Sequence, residues 1–159
     1  MTKPLVVILM GSKADMEHCT KISEACKGFG LDTVLRIGSA HKTPEHVVSI
    51  LKQYEADDRP KVYITVAGRS NALSGFTDGS VSAPVIACPP PSESFGGADV
   101  YSSLRMPSGI APAVVLEPFN AALLAAKIFG VTNAEVREQV RVSQKRAAER
   151  IIEDDASVR

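Results

Sequence analysis

The side chain best suited to moving a proton is His41, in the segment Ser39-Ala40-His41-Lys42-Thr43. The positive charge of Lys42 beside the imidazole favours its neutral form, which accepts a proton. The other histidines, His18 and His46, fall within predicted helices, where a partly packed or solvated imidazole is the usual role. No Cys or acidic partner completes a recognisable ligand spacing around His41, so no metal site is predicted.

Three short loops combine glycine with hydroxyl, carboxylate and basic side chains. They are Gly11-Ser12-Lys13-Ala14-Asp15, Ser39-Ala40-His41-Lys42-Thr43-Pro44 and Gly68-Arg69-Ser70-Asn71. Each follows a predicted strand and precedes a helix, whose free amides and positive dipole end favour an anion such as phosphate. Lys42 and Arg69 add positive charge, whereas the Asp15 carboxylate suits the hydroxyls of a ribose. The loops therefore predict a site for a sugar phosphate or mononucleotide.

Other chemistries find less support. Neither the dinucleotide fingerprint nor the phosphate-loop motif ending in Gly-Lys-Ser/Thr is present, so neither a dinucleotide nor ATP is predicted. Cys88 precedes three prolines at a strand end, where a small buried residue is a better interpretation than a nucleophile. Ser102, Ser103 and Ser108 lack the nucleophile elbow of a serine hydrolase. No cofactor is expected.

The elements that must position these loops alternate between strands and helices. Apolar, β-branched runs predict strands at 5–10, 33–37, 62–66, 85–88 and 113–116. Helices are predicted after Ser12, from an N-cap at Thr43, as a short helix after Asn71, and at 98–105, 120–129 and 133–152. Parallel strands need such crossovers, so the expected fold is a three-layer α/β/α sandwich with a parallel, flavodoxin-like sheet. Ligands of such sheets bind beyond the carboxyl ends of the strands.

The last predicted helix differs from the rest because it is rich in Glu, Arg and Gln and its apolar stripe is thin. Two placements remain open, on its own domain or across a neighbouring subunit. At 159 residues, without repeats or linkers, the chain is expected to form one domain, 1–159.

Composition excludes several classes of partner. The chain carries 18 Lys plus Arg and 18 Asp plus Glu, so it lacks the surplus of positive charge that favours binding to nucleic acid. Its apolar runs fall short of the roughly 20 residues that span a bilayer, and no signal-peptide pattern precedes them. Three cysteines without a close pair fit the reducing cytosol, so a cytoplasmic protein is expected.

The same loops resemble a known family. Together with Pro89-Pro90 and Ser102-Ser103-Leu104-Arg105-Met106-Pro107-Ser108-Gly109, they are similar to the PurE family of purine biosynthesis over nearly the whole chain. The family contains aminoimidazole ribonucleotide carboxylases and carboxyaminoimidazole ribonucleotide mutases. Lys42, where mutases typically carry Arg, and Gly68-Arg69-Ser70-Asn71, without a following histidine, resemble the carboxylases. Ala14 departs from the serine that family members often carry.

The resemblance implies carboxylation of aminoimidazole ribonucleotide by carbon dioxide without ATP, biotin or metal, with His41 as the general base and acid. It implies phosphate and ribose contacts at Ser12, Asp15, Ser39 and Lys42, ring or carboxylate contacts at Gly68 and Ser70, and a homo-octamer. The substrate-binding residues expected are Gly11, Ser12, Asp15, Ser39, Lys42, Gly68, Arg69, Ser70 and Asn71. The mutase of the same family and a non-catalytic, flavodoxin-like mononucleotide-binding module are the alternatives.

Overall fold

The computed structural model describes residues 3–159, and within that range five parallel strands form one sheet. The strands are β1 (Leu5–Met10), β2 (Asp32–Ile37), β3 (Lys61–Val66), β4 (Val85–Ala87) and β5 (Ala113–Val114). Their order across the sheet is β2-β1-β3-β4-β5, the order of flavodoxin-like folds. The predicted sandwich is confirmed. Met1 and Thr2 of the predicted domain 1–159 lie outside the described residues.

Helices cover both faces of the sheet, as the apolar strands require. Over the described range the helices are α1 (Met16–Gly28), α2 (Pro44–Glu55), α3 (Ala72–Asp78), α4 (Tyr101–Leu104), α5 (Pro118–Gly130) and α6 (Ala134–Ser157). Alternate residues of β1 serve opposite layers. Val6 and Ile8 pack in the core under α1 and α5, whereas Val7 and Leu9 pack in the core under α2 and α3.

The segment between β4 and β5 differs most from its prediction. In place of a helix over 98–105, Ser94–Val100 forms 3₁₀ turns and α4 is a single short turn of helix. Three consecutive residues, Phe95, Gly96 and Gly97, have left-handed backbones with φ of 51°, 63° and 81°. These residues stop a helix from running into the segment from before residue 98, and the extended backbone of Arg105 (φ −119°, ψ 114°) ends α4 after Leu104.

Several element ends also shift. β4 stops one residue early, although the Cys88 N–H still donates to the Thr65 carbonyl at 2.8 Å. α5 begins at Pro118, two residues before its predicted start, because proline is tolerated in the first turn of a helix. α6 continues to Ser157, beyond the predicted 152, because no Gly or Pro interrupts it.

The carboxyl-terminal helix is attached to the domain at its start. Val136 and Val140 are buried, and the Arg137 guanidinium donates to the carbonyls of Gly130 at 2.6 Å and Val131 at 3.0 Å. From residue 144 onward every residue of this helix is exposed. Within residues 3–159 no helix has the length and apolar character needed to cross a membrane.

Candidate functional site

The three predicted loops lie side by side at the carboxyl edge of the sheet. The Gly11 N–H donates to the Val66 carbonyl and the Gly38 N–H to the Met10 carbonyl, both at 2.9 Å, so the end of β1 is tied to the ends of its two neighbours. From this point α1 crosses one face of the sheet and α3 the other. A crevice opens where two adjacent parallel strands send their connections to opposite faces. The predicted loops thus border the crevice at this edge of the sheet.

His41 lies at the tip of a closed turn. The Ser39 carbonyl accepts the Thr43 N–H at 2.8 Å, and the Ser39 Oγ atom accepts the Lys42 N–H at 3.2 Å. The Thr43 Oγ1 atom accepts the Ser39 N–H at 3.0 Å and donates to the Ser39 carbonyl at 3.3 Å. Thr43 is the residue before α2, as predicted, but its hydroxyl closes this turn and makes no cap bond to the helix. The turn holds the exposed His41 and Lys42 next to each other.

The Gly11–Asp15 loop forms a second compact turn. Ser12 accepts the Ala14 N–H on its Oγ atom at 3.2 Å and caps a 3₁₀ turn, Lys13–Asp15, that precedes α1. Asp15 occupies the cap position of α1 without a side-chain bond to the helix. Partial burial raises the pKa of the Asp15 carboxyl, and the nearby His18 acts in the opposite direction. The Ser12 hydroxyl hydrogen and the Asp15 carboxylate remain available to a ligand.

The Gly68–Asn71 loop is bent sharply. Arg69 has a left-handed backbone with φ of 56° and an exposed side chain, and Ser70 is exposed beside it. Asn71, in contrast, is buried, and its Oδ1 atom accepts the Ser74 N–H at 3.2 Å to cap α3. The side chain of Asn71 is therefore committed to the fold, whereas Arg69 and Ser70 face outward.

A cavity of about 480 Å³ adjoins the Gly68 loop and lies between α1, the Pro89–Pro91 segment and the start of α5. Among the predicted site residues, all within the described range, Gly68 lines it. Half-buried His18 forms part of its wall, and burial lowers the pKa of that imidazole. Sequence reasoning assigned His18 no special surroundings, because its partners come from distant segments.

Cys88 is fully buried behind His18, and its burial raises the pKa of the thiol to about 12. A thiol that resists ionisation is a poor nucleophile, which agrees with the predicted role of a small buried residue. Within residues 3–159 no group of three or more His, Cys, Asp or Glu side chains is arranged to hold a metal ion.

Ser102 and Ser103 contact the site in a way the sequence did not indicate. Both reach from α4 to Asn71, more than thirty residues earlier in the chain. The family resemblance includes these two serines, but a Ser-Ser pair carries no local signal of a contact with Asn71.

Comparisons with known proteins agree with the fold. The family model described as AIR carboxylase matches residues 5–150. The phosphoribosylaminoimidazole carboxylase of Treponema denticola is 63% identical over 157 residues, covering 99% of both chains. That of Archaeoglobus fulgidus is 54% identical over 153 residues, covering 96% of this chain and 84% of the relative. The crystal structure of Treponema denticola PurE superposes with a TM-score of 0.97 at 63% identity, covering 99% of both chains.

Proposed function

This chain belongs to the AIR carboxylase family, and we propose that it reversibly carboxylates 5-aminoimidazole ribonucleotide with carbon dioxide to give 4-carboxy-5-aminoimidazole ribonucleotide in purine biosynthesis. The observation that carries the proposal is the closed Ser39–Thr43 turn, which presents His41 on the same sheet edge as the Gly11 and Gly68 loops. A proton acceptor thus stands beside two loops suited to a phosphorylated ligand. The names of the relatives support the same reaction.

The reaction needs little beyond orientation and one proton transfer. Aminoimidazole is an enamine, so the electron pair of its ring carbon forms a new bond to the carbon of carbon dioxide, and one C=O bond of the dioxide becomes carboxylate. The attacked ring carbon then carries both a proton and the carboxylate. Neutral His41 removes that proton, and the electron pair of the broken C–H bond restores the aromatic ring. In the reverse direction the protonated imidazole returns it.

The remaining loop residues bind different parts of the substrate. The phosphate and ribose are bound by Lys42 and by the hydroxyls of Ser12 and Ser39, and the Asp15 carboxylate accepts a hydrogen bond from a ribose hydroxyl.

The Gly68–Asn71 loop lies at the other end of the ligand. Gly68 and Ser70 contact the ring or its new carboxylate, with Arg69 supplying positive charge. Gly11 admits the ligand close to the backbone, and Asn71 fixes the end of the Gly68 loop. The reaction requires no ATP, biotin or metal ion.

The test is an assay of aminoimidazole ribonucleotide with and without bicarbonate, in the absence of ATP. Carboxylated product that rises with bicarbonate supports the carboxylase. Conversion of N-carboxyaminoimidazole ribonucleotide without any need for bicarbonate would instead identify the mutase. Binding of the nucleotide with no turnover of either substrate would leave only a mononucleotide-binding module.

The role of His41 is tested with His41→Asn, which should abolish turnover while nucleotide binding is largely retained. His46→Asn is the matched control, since His46 is an exposed histidine five residues away. Equal turnover in the two variants would contradict a role for His41 as the base.

We also propose that the chain works as a single-domain subunit of a homo-octamer in the cytoplasm. The predicted site is open in the isolated chain, where His41, Lys42, Arg69 and Ser70 are exposed. The extended end of α6, covering part of the predicted tail 133–152, is then free to pack on a neighbouring subunit. Three buried free thiols are consistent with a reducing compartment.

A further inference from the structure

The backbone of Arg69 is in a conformation that side chains other than glycine rarely adopt. Its φ of 56° lies in the left-handed region, where the Cβ atom crowds the backbone. Such a bend persists only when surrounding contacts hold it, and bends of this kind occur often at functional sites. The contacts that hold Arg69 therefore control the shape of the Gly68–Asn71 loop.

One hydroxyl on α4 contacts the chain on both sides of this bend. The Ser102 Oγ atom accepts the Asn71 N–H at 2.9 Å. Its own hydrogen is shared between the carbonyl of Arg69 at 3.1 Å and the carbonyl of Asp99 at 2.7 Å. One hydroxyl thereby links peptide groups on both sides of the bend and joins them to the start of α4.

A second serine fixes the end of the same loop. The Nδ2 atom of Asn71 donates to the Ser103 Oγ atom at 2.9 Å, while its Oδ1 atom caps α3 through the Ser74 N–H. Asn71 is 3% exposed and Ser103 is 1% exposed, so water cannot readily replace this bond. The two adjacent serines thus hold both the backbone and the side chain of Asn71.

We propose that Ser102 and Ser103 are positioning residues that keep the Gly68–Asn71 loop in its substrate-binding conformation. The inference rests on the proposed function of that loop. Neither serine needs to touch the substrate, because each acts through Arg69 or Asn71. Of the two serines, Ser102 has the larger effect on the loop, because its hydroxyl is the one that contacts the Arg69 carbonyl.

The test compares Ser102→Ala, Ser102→Thr and Ser80→Ala in the full-length protein. Ser80 is the matched control because its hydroxyl also donates to a carbonyl, that of Phe76 at 2.7 Å, but lies just beyond the far end of α3. We expect Ser102→Ala to lower kcat/KM about 10- to 100-fold, since small displacements of positioned groups have effects of that size. Ser102→Thr retains a hydroxyl and should recover most of the loss.

A second measurement reports on the loop without any assay of turnover. Hydrogen–deuterium exchange of a peptide containing Asn71 should be faster in Ser102→Ala, because the amide hydrogen loses its acceptor, and unchanged in Ser80→Ala. A wild-type protein that fails to carboxylate aminoimidazole ribonucleotide would refute the proposed function, while exchange would still decide whether Ser102 holds the loop.

Three results would overturn the positioning role. One is a kcat/KM in Ser102→Ala equal to that of Ser80→Ala. Another is a loss of activity with no change in exchange at Asn71. The third is a loss that Ser102→Thr does not recover, accompanied by a melting temperature that falls in both variants, since that pattern indicates a general loss of stability.

Discussion

The Nε2 atom of His18 lies 3.4 Å from the Sγ atom of Cys88, on the wall of the cavity beside the candidate site. The two residues come from α1 and from the end of β4. Burial lowers the pKa of the imidazole and raises that of the thiol to about 12, so near neutral pH both groups are uncharged. The pair is therefore a hydrogen-bonding contact between neutral groups, and it differs from the thiolate–imidazolium pair of a cysteine nucleophile.

Thiol reactivity tests this conclusion. Burial raises the pKa values of Cys19, Cys26 and Cys88 each to about 12. We expect none of the three thiols to react rapidly with a disulfide reagent at about pH 8 in the native protein, and all three to react after denaturation. One rapidly reacting thiol in the native protein, assigned to Cys88 by mass spectrometry, would contradict the neutral pair.

The His18 imidazole should make the stability of the protein depend on pH. Burial lowers its pKa below the ordinary 6.5, so below about pH 6.5 the unfolded chain binds a proton that the folded chain does not. The free energy of unfolding then falls as the pH drops from 6.5 towards the folded pKa, and this loss is absent above 6.5. Asp15, whose pKa is raised above the ordinary 3.8, has the opposite effect, because its carboxyl favours the folded state as the pH falls towards 3.8.

His18→Gln isolates the effect because glutamine is polar and does not titrate. We expect the loss of unfolding free energy between about pH 7.5 and 5.5 to be smaller in His18→Gln than in the wild type, as measured by urea denaturation. His46→Gln serves as the control, since it removes an exposed histidine. An identical pH dependence in wild type and His18→Gln would show that the imidazole is not held neutral by burial.

Gly38 sets how closely the His41 turn approaches α2. A Cβ atom on Gly38 would lie 2.9 Å from Cγ2 of Val47 and 3.4 Å from Cδ1 of Ile50, both buried. Val47 is stiff at χ1 and cannot easily move away. We expect Gly38→Ala to lower the free energy of unfolding by about 1–3 kcal/mol, measured by urea denaturation.

Gly28→Ala is the comparison for this substitution. Gly28 ends α1, and a Cβ atom there would meet nothing within 4 Å. Alanine should be neutral or stabilise by up to about 1 kcal/mol, because it favours the helix. Equal stabilities for Gly38→Ala and Gly28→Ala would mean that the turn and α2 can separate without cost.

The local sequence was enough to predict the strands and the loops that follow them. The run from Leu5 to Met10 is apolar throughout because both faces of β1 are buried, and the Gly11 loop follows where the strand ends. Loop positions beyond strand ends follow from chain order once the sheet is known to be parallel. The sheet edge of the candidate site was therefore predictable.

Contacts between distant segments were not predictable. Ser102 meets Asn71 across 31 positions and His18 meets Cys88 across 70, and neither pair has a periodic signal. The left-handed backbone of Phe95 contradicts the usual preference of a bulky residue, so no propensity rule predicts it. These features depend on tertiary packing, which a single sequence specifies without displaying.

The exposed end of α6 can be tested as a contact between subunits of the proposed octamer. Ile151 and Ile152 are 68% and 67% exposed, although large aliphatic side chains paired on a helix favour a covered surface. Replacing both with serine should leave the fold of the subunit intact, because exposed substitutions change stability by only about 0.5 kcal/mol. Loss of a subunit contact should instead raise the concentration at which the assembly dissociates, about tenfold for each 1.4 kcal/mol. Light scattering at decreasing protein concentration measures that shift.

Val158→Ser is the control for this double substitution, since Val158 is 82% exposed and follows the last residue of α6. An unchanged dissociation in the Ile151→Ser/Ile152→Ser variant would remove this part of α6 from the subunit interface, because a buried contact between subunits cannot lose two isoleucine side chains without weakening.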